Sequence, residues 1–413
     1  MKHPKKILLL LAFAILFTSH AYAGPFLTQG LSDEFKPEGI IIGEDLNKQL
    51  GTQVGPANLK GEITVSQGWD SNIFLTPDDE KSDTINVVSP KLFMDMPFGL
   101  GGRHNLSLLY AAQLGSYLDN SSQNYQNQEV TGLLNFKLPF GYFAIRDFFN
   151  KTSDRAGTEF TNLIRRTENQ ADALFGVEFN KLANEVDYTH FTRKFNSLDY
   201  QGYNYTEDIG TDTMYYQLFP KTKALLEYNY GVINYTKDNT RDGHFNQVRA
   251  GFKGDLTSKT IGIVKFGYQE RKYKTSGGRK GFHNLVSELG LQSQLSERRV
   301  LRLRFSQTAV ESIYDNNNYY YNNSLLMEFR QAMAHNLTLV ALMGADRRLY
   351  PEIGTIVPKK RRDTVWMGSL GLEYQAKEWV KGGLKYTYTE DRSNIAEQCY
   401  QDNAVVASIT FMR

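Results

Sequence analysis

From Gly61 to the C-terminus the chain repeats one pattern. Stretches of about ten residues alternate apolar and polar side chains, and the connections between them are alternately short and long. The clearest stretch places Leu106, Leu108, Tyr110, Ala112 and Leu114 on one face, with Ser107, Gln113 and Gly115 on the other. The same period of two runs through Val130–Leu138, Ala171–Phe179, Leu226–Val232, Leu285–Leu291, Leu301–Phe305, Leu325–Phe329, Leu337–Met343, Trp366–Leu372 and Val380–Tyr388. Period two makes each stretch a strand with one apolar face. Short connections lie near Pro97–Arg103, Pro139–Gly141, Asn180–Asn184, Pro220–Thr222, Thr257–Lys259, Ser296–Arg298, Met333–Asn336 and Ala376–Glu378, with longer polar ones between them. Eight short and nine long connections separate eighteen strands. Phe143–Phe149 and Thr189–Phe195 have an ambiguous phase, and without them the count is sixteen.

Short turns alternating with long loops are a property of closed transmembrane sheets, whose periplasmic turns are tight and whose external loops are long. The expected fold is therefore all-β: a closed antiparallel transmembrane β-barrel of about eighteen strands. The competing reading is a large soluble all-β protein, a two-sheet sandwich or a propeller. The 25 Tyr and 25 Phe favour the barrel, because they gather near strand ends as in an interfacial girdle. After the opening 25 residues nothing approaches the ~18 apolar residues of a membrane helix. The net charge of +2 gives no reason to expect nucleic acid as a partner.

The first residues read as an export signal. Lys2, Lys5 and Lys6 precede the apolar run Ile7–Phe17, and Ala21-Tyr22-Ala23 forms a small-x-small cleavage site. The expected organisation is a signal peptide over 1–23, cleaved after Ala23, a periplasmic N-terminal extension over 24–60, and an outer-membrane barrel over 61–413. The expected location is the outer membrane of a Gram-negative bacterium. Outer-membrane lipid is then one partner. The assembly machinery is another, reading the last strand, where Val405, Ala407, Ile409 and Phe411 alternate almost to the end.

If the apolar sets face lipid, the residues between them face a lumen. Asp172, Glu178, Glu185, Asp187 and Glu227 then form an acidic arc, beside a basic arc of Arg249, Lys253, Lys265, Arg302 and Arg304. Such an arrangement either sets a field across a pore or pairs off and fills space. Tyr314, Asn317, Tyr319 and Tyr321 lie in an aromatic and amide-rich external segment. They can contact a glycan, through rings against C–H faces and amides against hydroxyls, or form a girdle and a tight turn. No catalytic, cofactor-binding or metal-binding constellation emerges. The histidines show no metal-ligand spacing, and Gly277–Gly281 is Gly-rich but has no helix after it to hold phosphate. His190 stands alone as a candidate base for a barrel enzyme, against the plainer role of a lumen hydrogen-bonding residue. The single cysteine, Cys399, sits in the expected last external loop and allows no intramolecular disulfide.

Two further segments carry a resemblance. Phe35-Lys36-Pro37-Glu38-Gly39-Ile40-Ile41-Ile42-Gly43 is followed, one strand later, by Gly68-Trp69-Asp70-Ser71-Asn72-Ile73-Phe74. This resembles the opening of the β-barrel porin type 2 family, outer-membrane barrels often encoded with exopolysaccharide or capsule genes. Glu44–Gln49 departs from it, being polar where the family has an apolar lead-in. On the residues alone, Asp70 and Asn72 suit a strand exit capped by side-chain bonds to backbone N–H groups, and Trp69 and Phe74 suit a lipid–water boundary. The resemblance implies a porin-like conduit or docking barrel in exopolysaccharide or capsule export, with polysaccharide and envelope export proteins as partners. A general small-solute porin and a barrel enzyme that modifies lipid or glycan are the alternatives.

Overall fold

In a bilayer an open strand edge strands its backbone N–H and C=O groups, so a spanning sheet must close. The computed structural model describes residues 51–413 apart from 156–158, 160–162, 275–280, 314–316, 318, 335 and 354–357. In it the chain forms β1 (Thr52–Val54), β2 (Ala57–Asp70), β3 (Asp83–Phe98), β4 (His104–Tyr117), β5 (Tyr125–Leu138), β6 (Gly141–Thr152), β7 (Arg166–Phe179), β8 (Leu182–Phe195), β9 (Tyr205–Phe219) and β10 (Thr222–Tyr235). It continues through β11 (Gly243–Thr257), β12 (Thr260–Tyr273), β13 (Phe282–Ser296), β14 (Arg299–Glu311), β15 (Tyr319–Ala332), β16 (Leu337–Ile353), β17 (Lys360–Lys377), β18 (Val380–Ser393) and β19 (Tyr400–Met412).

Each strand pairs with the next, antiparallel, and β19 returns to β2. The closing ladder runs from Ala404↔Asp70 to Met412↔Glu62. Beyond it, Gly61 and Arg413 exchange backbone hydrogen bonds in both directions at 2.8 Å. The barrel thus has the expected eighteen strands, β2 to β19, with β1 folded back on the start of β2. The barrel begins at Ala57 rather than at residue 61, because Ala57–Leu59 already pair with β1 and Asn58–Lys60 with β3. The expected signal peptide, residues 24–50 and the Phe35–Gly43 segment lie outside the described residues.

All eight expected short connections fall between strands. The β3–β4 turn shows why sequence marks them so well. Gly99, Gly101 and Gly102 take φ of 77°, 68° and 63°, a backbone that side chains with a Cβ avoid. The two segments of ambiguous phase are strands β6 and β8. Their phase was obscured because apolar Phe148, Phe191 and Phe195 point inward while polar Asp147 and His190 point outward, as their register neighbours show.

Burial is inverted relative to a soluble protein. Inward Glu227 and Asn229 are 1% and 0% exposed, whereas outward Leu226 and Phe266 are 53% and 63% exposed. Apolar area is left outside for lipid, and polar side chains fill the inside.

Removing β19 would leave β2 and β18 as open edges with no partner in lipid. A chain truncated after Ser393 should lose the compact, heat-modifiable gel band that the full chain gives in unboiled detergent. A truncated chain that keeps this band would contradict closure through β19 and β2.

Candidate functional site: the barrel lumen and its mouth

All ten charged residues expected in the lumen occupy inward register positions, on β7, β8, β10, β11, β12 and β14. They do not stay in two separate arcs. Glu227 Oε1 accepts from Arg249 Nε at 2.7 Å, and its Oε2 accepts from Lys265 at 2.9 Å. Glu288 on β13 joins the same pairings, 3.2 Å from Arg249 and 3.7 Å from Lys265. Arg302 bonds Glu328 on β15 at 2.6 Å and Gln292 at 3.0 Å. On the acidic side, Arg146 of β6 donates to Asp172 at 2.7 Å, and Tyr142 bonds Glu185. Glu178 lies 3.8 Å from Lys223. Acidic residues therefore interleave with the basic strands, and a basic residue with the acidic ones. A charge taken from water into a protein wall is costly unless a partner is adjacent, and these registers supply the partners. Glu288 and Glu328 follow the alternation of their strands and so read as inward, but belong to no single-sign run; Arg146 lies in the segment of ambiguous phase, and only the register of β6 against β7 turns it inward.

The mouth is built differently. The β13–β14 ladder stops at Ser287↔Gln307, although β12–β13 continues to Arg271↔Phe282 and β14–β15 to Glu311↔Tyr319. The outer part of the β14–β15 hairpin therefore separates from β13. It leans across the lumen side and reaches β12, where Glu311 bonds Arg271 and accepts from the Tyr273 hydroxyl at 3.0 Å. Other external loops hold its tip. Arg241 of the β10–β11 loop donates to Ser312 O at 2.8 Å and Ile313 O at 3.4 Å. Tyr203 of the β8–β9 loop donates to Ile313 O at 3.1 Å. Glu159 of the β6–β7 loop accepts from the Ser312 hydroxyl and the Ile313 N–H, both at 2.8 Å. The Arg241 guanidinium also lies over the Tyr203 and Tyr235 rings, at 5.2 and 5.8 Å. Three connections far apart in sequence thus converge on Ser312 and Ile313.

The family motif is a structural turn. Asn72 N–H donates to Asp70 Oδ1 at 2.9 Å, and buried Asn72 bonds Thr76 O, Gln401 O and Thr76 N–H at 2.8, 2.9 and 3.0 Å. Trp69 is outward and exposed, and Phe74 lies in the β2–β3 loop beneath Lys81. Of the glycan candidates, Tyr314 lies outside the described residues. Asn317 is buried and accepts from Glu352 N–H at 3.0 Å. Tyr319 stacks on Phe282 at 3.9 Å, and the Tyr321 hydroxyl donates to His283 O at 3.5 Å. These two tyrosines fill the seam that the hairpin leaves beside β13. His190 is not in the lumen. It faces outward, with Nδ1 2.7 Å from Asp208 Oδ1. Cys399 lies in the last external loop, its Sγ accepting from Ser393 N–H at 3.4 Å. Among the described residues, no group of three His, Cys, Asp or Glu could hold a metal ion.

The family model described as "Putative beta-barrel porin 2" matches residues 47–413. The chain belongs to this family. No curated protein matches it. The outer membrane protein OpdK from Pseudomonas aeruginosa has a similar structure, with TM-score 0.51 and 11% identity over 86% of this chain and 99% of that one. OpdK from the same organism, determined with vanillate, gives TM-score 0.50 and 9% identity over 86% and 99%. At such identities the likeness is one of fold, an outer-membrane barrel.

The mouth lock carries a pH dependence. Burial pushes the Glu159 carboxyl above the usual carboxylate range, against the bonds from Ile313, Ser312 and Tyr350 and the nearby Arg361 charge, which lower it. A raised acid binds its proton more tightly with the hairpin held in the mouth than with the hairpin released into water. The held position is therefore fully supported below the ordinary carboxylate range and weakens as pH rises through the raised value. In single-channel recordings, open time should increase with pH, and Glu159→Gln should flatten that dependence. Arg241→Ala removes bonds from a charged donor, worth about 1.5–3 kcal/mol each, and should lengthen open time roughly tenfold or more. Unchanged gating in Arg241→Ala would contradict the lock.

Proposed function

We propose that this outer-membrane barrel is a porin for small hydrophilic solutes. The observation that carries this reading is the β14–β15 hairpin, drawn across the mouth and held there by Arg241, Tyr203 and Glu159. An eighteen-stranded barrel has room for an aqueous channel, but a hairpin inside its mouth narrows what can pass. A lumen wall of mixed, paired charge suits small polar solutes of either sign. The likeness to OpdK, one structure of which was determined with vanillate, supports the same reading.

This reading is preferred to the polysaccharide conduit or docking barrel. Asn317, Tyr319 and Tyr321 spend their polar and stacking groups on the chain itself, which favours a structural role over presentation to a glycan. It is also preferred to an enzyme. His190 has an acidic partner in Asp208, but among the described residues no serine hydroxyl bonds its ring. An N-terminal export signal, cleaved after Ala23, would deliver the chain to the outer membrane of a Gram-negative cell.

A clean deletion in the parent bacterium, with complementation, distinguishes these roles. Uptake of small polar solutes should fall several-fold while surface polysaccharide stays normal. Loss of surface polysaccharide with unchanged uptake would overturn the small-solute reading.

A further inference from the structure

Near their external ends β16, β17 and β18 turn a cluster of arginines away from the lumen. Asp346, Arg348, Arg361, Asp363 and Asp391 are buried on the inner side of these strands. The alternate positions face outward, and Arg347, Arg362 and Arg392 are all exposed there. Arg347 and Arg392 both stand opposite Thr364 in the register, one on each side of it. Neighbouring strands lie about 4.8 Å apart, so these two α-carbons are roughly 10 Å apart, and Arg362 stands one pleat further out between them. Three guanidinium side chains thus share one small face with the Thr364 side chain. Arg392 donates to Glu390 at 2.8 Å. Among the described residues no carboxylate pairs with the guanidinium of Arg347 or Arg362. Outward Lys272 on β12, by contrast, meets Glu270 at 2.9 Å.

Below the cluster the outward residues turn apolar. Met343 and Ala345 on β16, Trp366 and Leu370 on β17 and Tyr386 on β18 face the membrane, with Trp366 48% exposed. A Trp at the top of such a band marks the level where acyl chains give way to headgroups. The arginines lie just beyond it, at the end that carries the long loops, and so at headgroup level in the outer leaflet. Gly368, between Trp366 and Leu370, leaves a notch in the apolar wall, where a β-carbon would meet nothing within 4 Å. An acyl chain fits such a notch. Guanidinium forks without a carboxylate select phosphate, whose oxygens accept two parallel N–H bonds from each fork.

We propose that Arg347, Arg362 and Arg392 bind the phosphate of an anionic lipid in the outer leaflet, with one of its acyl chains along the Gly368 notch. The Thr364 hydroxyl donates to the same phosphate. Basic pockets on a membrane protein at headgroup level recognise phosphorylated headgroups in this way.

The test is native mass spectrometry of the folded protein in neutral detergent, titrated with diphosphorylated lipid A. One lipid should be retained per barrel. Apparent affinity should fall at least tenfold for the same lipid stripped of its phosphates, and inorganic phosphate at equal concentration should not compete. The triple variant Arg347→Gln, Arg362→Gln and Arg392→Gln should lose at least tenfold while keeping the heat-modifiable band. Arg347→Gln alone, a milder change, should lose at least threefold. Outward Lys151 and Lys194 on β6 and β8 serve as the control, and changing both to Gln should leave binding within twofold. Undiminished binding in the triple or single variant, equal binding of the stripped lipid, competition by inorganic phosphate, or an equal loss in the lysine pair would each overturn the proposal.

Discussion

Every backbone N–H and C=O that crosses a bilayer needs a partner within the chain, and the rest of this structure depends on that requirement. It forces strand to follow strand until the last meets the first, as Gly61 and Arg413 do. Closure fixes two faces, and the pleat then sends alternate residues to lipid and to lumen. The same rule makes the early end of the β13–β14 ladder significant. Where β13 and β14 part above Ser287↔Gln307, the chain gives up pairing that a barrel normally keeps. The parted hairpin is compensated by Arg271, Arg241 and Glu159 inside the mouth and by Tyr319 and Tyr321 in the seam.

The lumen and the mouth obey different electrostatic logics. Along the wall, charges on neighbouring strands meet in register, so Glu227 is held by Arg249 and Lys265. At the mouth, charged groups act on backbone. Arg241 holds carbonyls of Ser312 and Ile313, and Glu159 holds an N–H and a hydroxyl. Bonds to backbone fix the position of a loop whatever its side chains, whereas bonds between lumen side chains fix the shape and polarity of the wall.

How much of this was legible depended on range. Alternation, turn glycines and turn prolines are local, so the strands, the short turns and the inward placement of residues such as Asp172 and Arg302 could be read from the sequence. Phase failed at β6 and β8, where Asp147 and His190 face outward and Phe148 and Phe191 inward, because these positions break the rule that apolar means lipid. The pairing of Arg302 with Glu328 needed the register of β14 against β15, which alternation alone does not number. The mouth lock was invisible for a stronger reason. Glu159 and Ser312 are 153 residues apart, in loops with no periodicity, and nothing local marks either as a contact.

The central claim is that the folded-in hairpin, and not the barrel circumference, sets the size of what passes. Proteoliposome swelling with a graded series of neutral sugars tests it most directly. The account predicts rapid swelling with monosaccharides, a sharp fall for oligosaccharides, and passage of those larger sugars once residues 312–318, which join β14 to β15 in sequence, are replaced by a tight two-residue turn. Equal permeation of monosaccharides and long oligosaccharides by the intact protein, or a cut-off that stays put when the tip is removed, would contradict it.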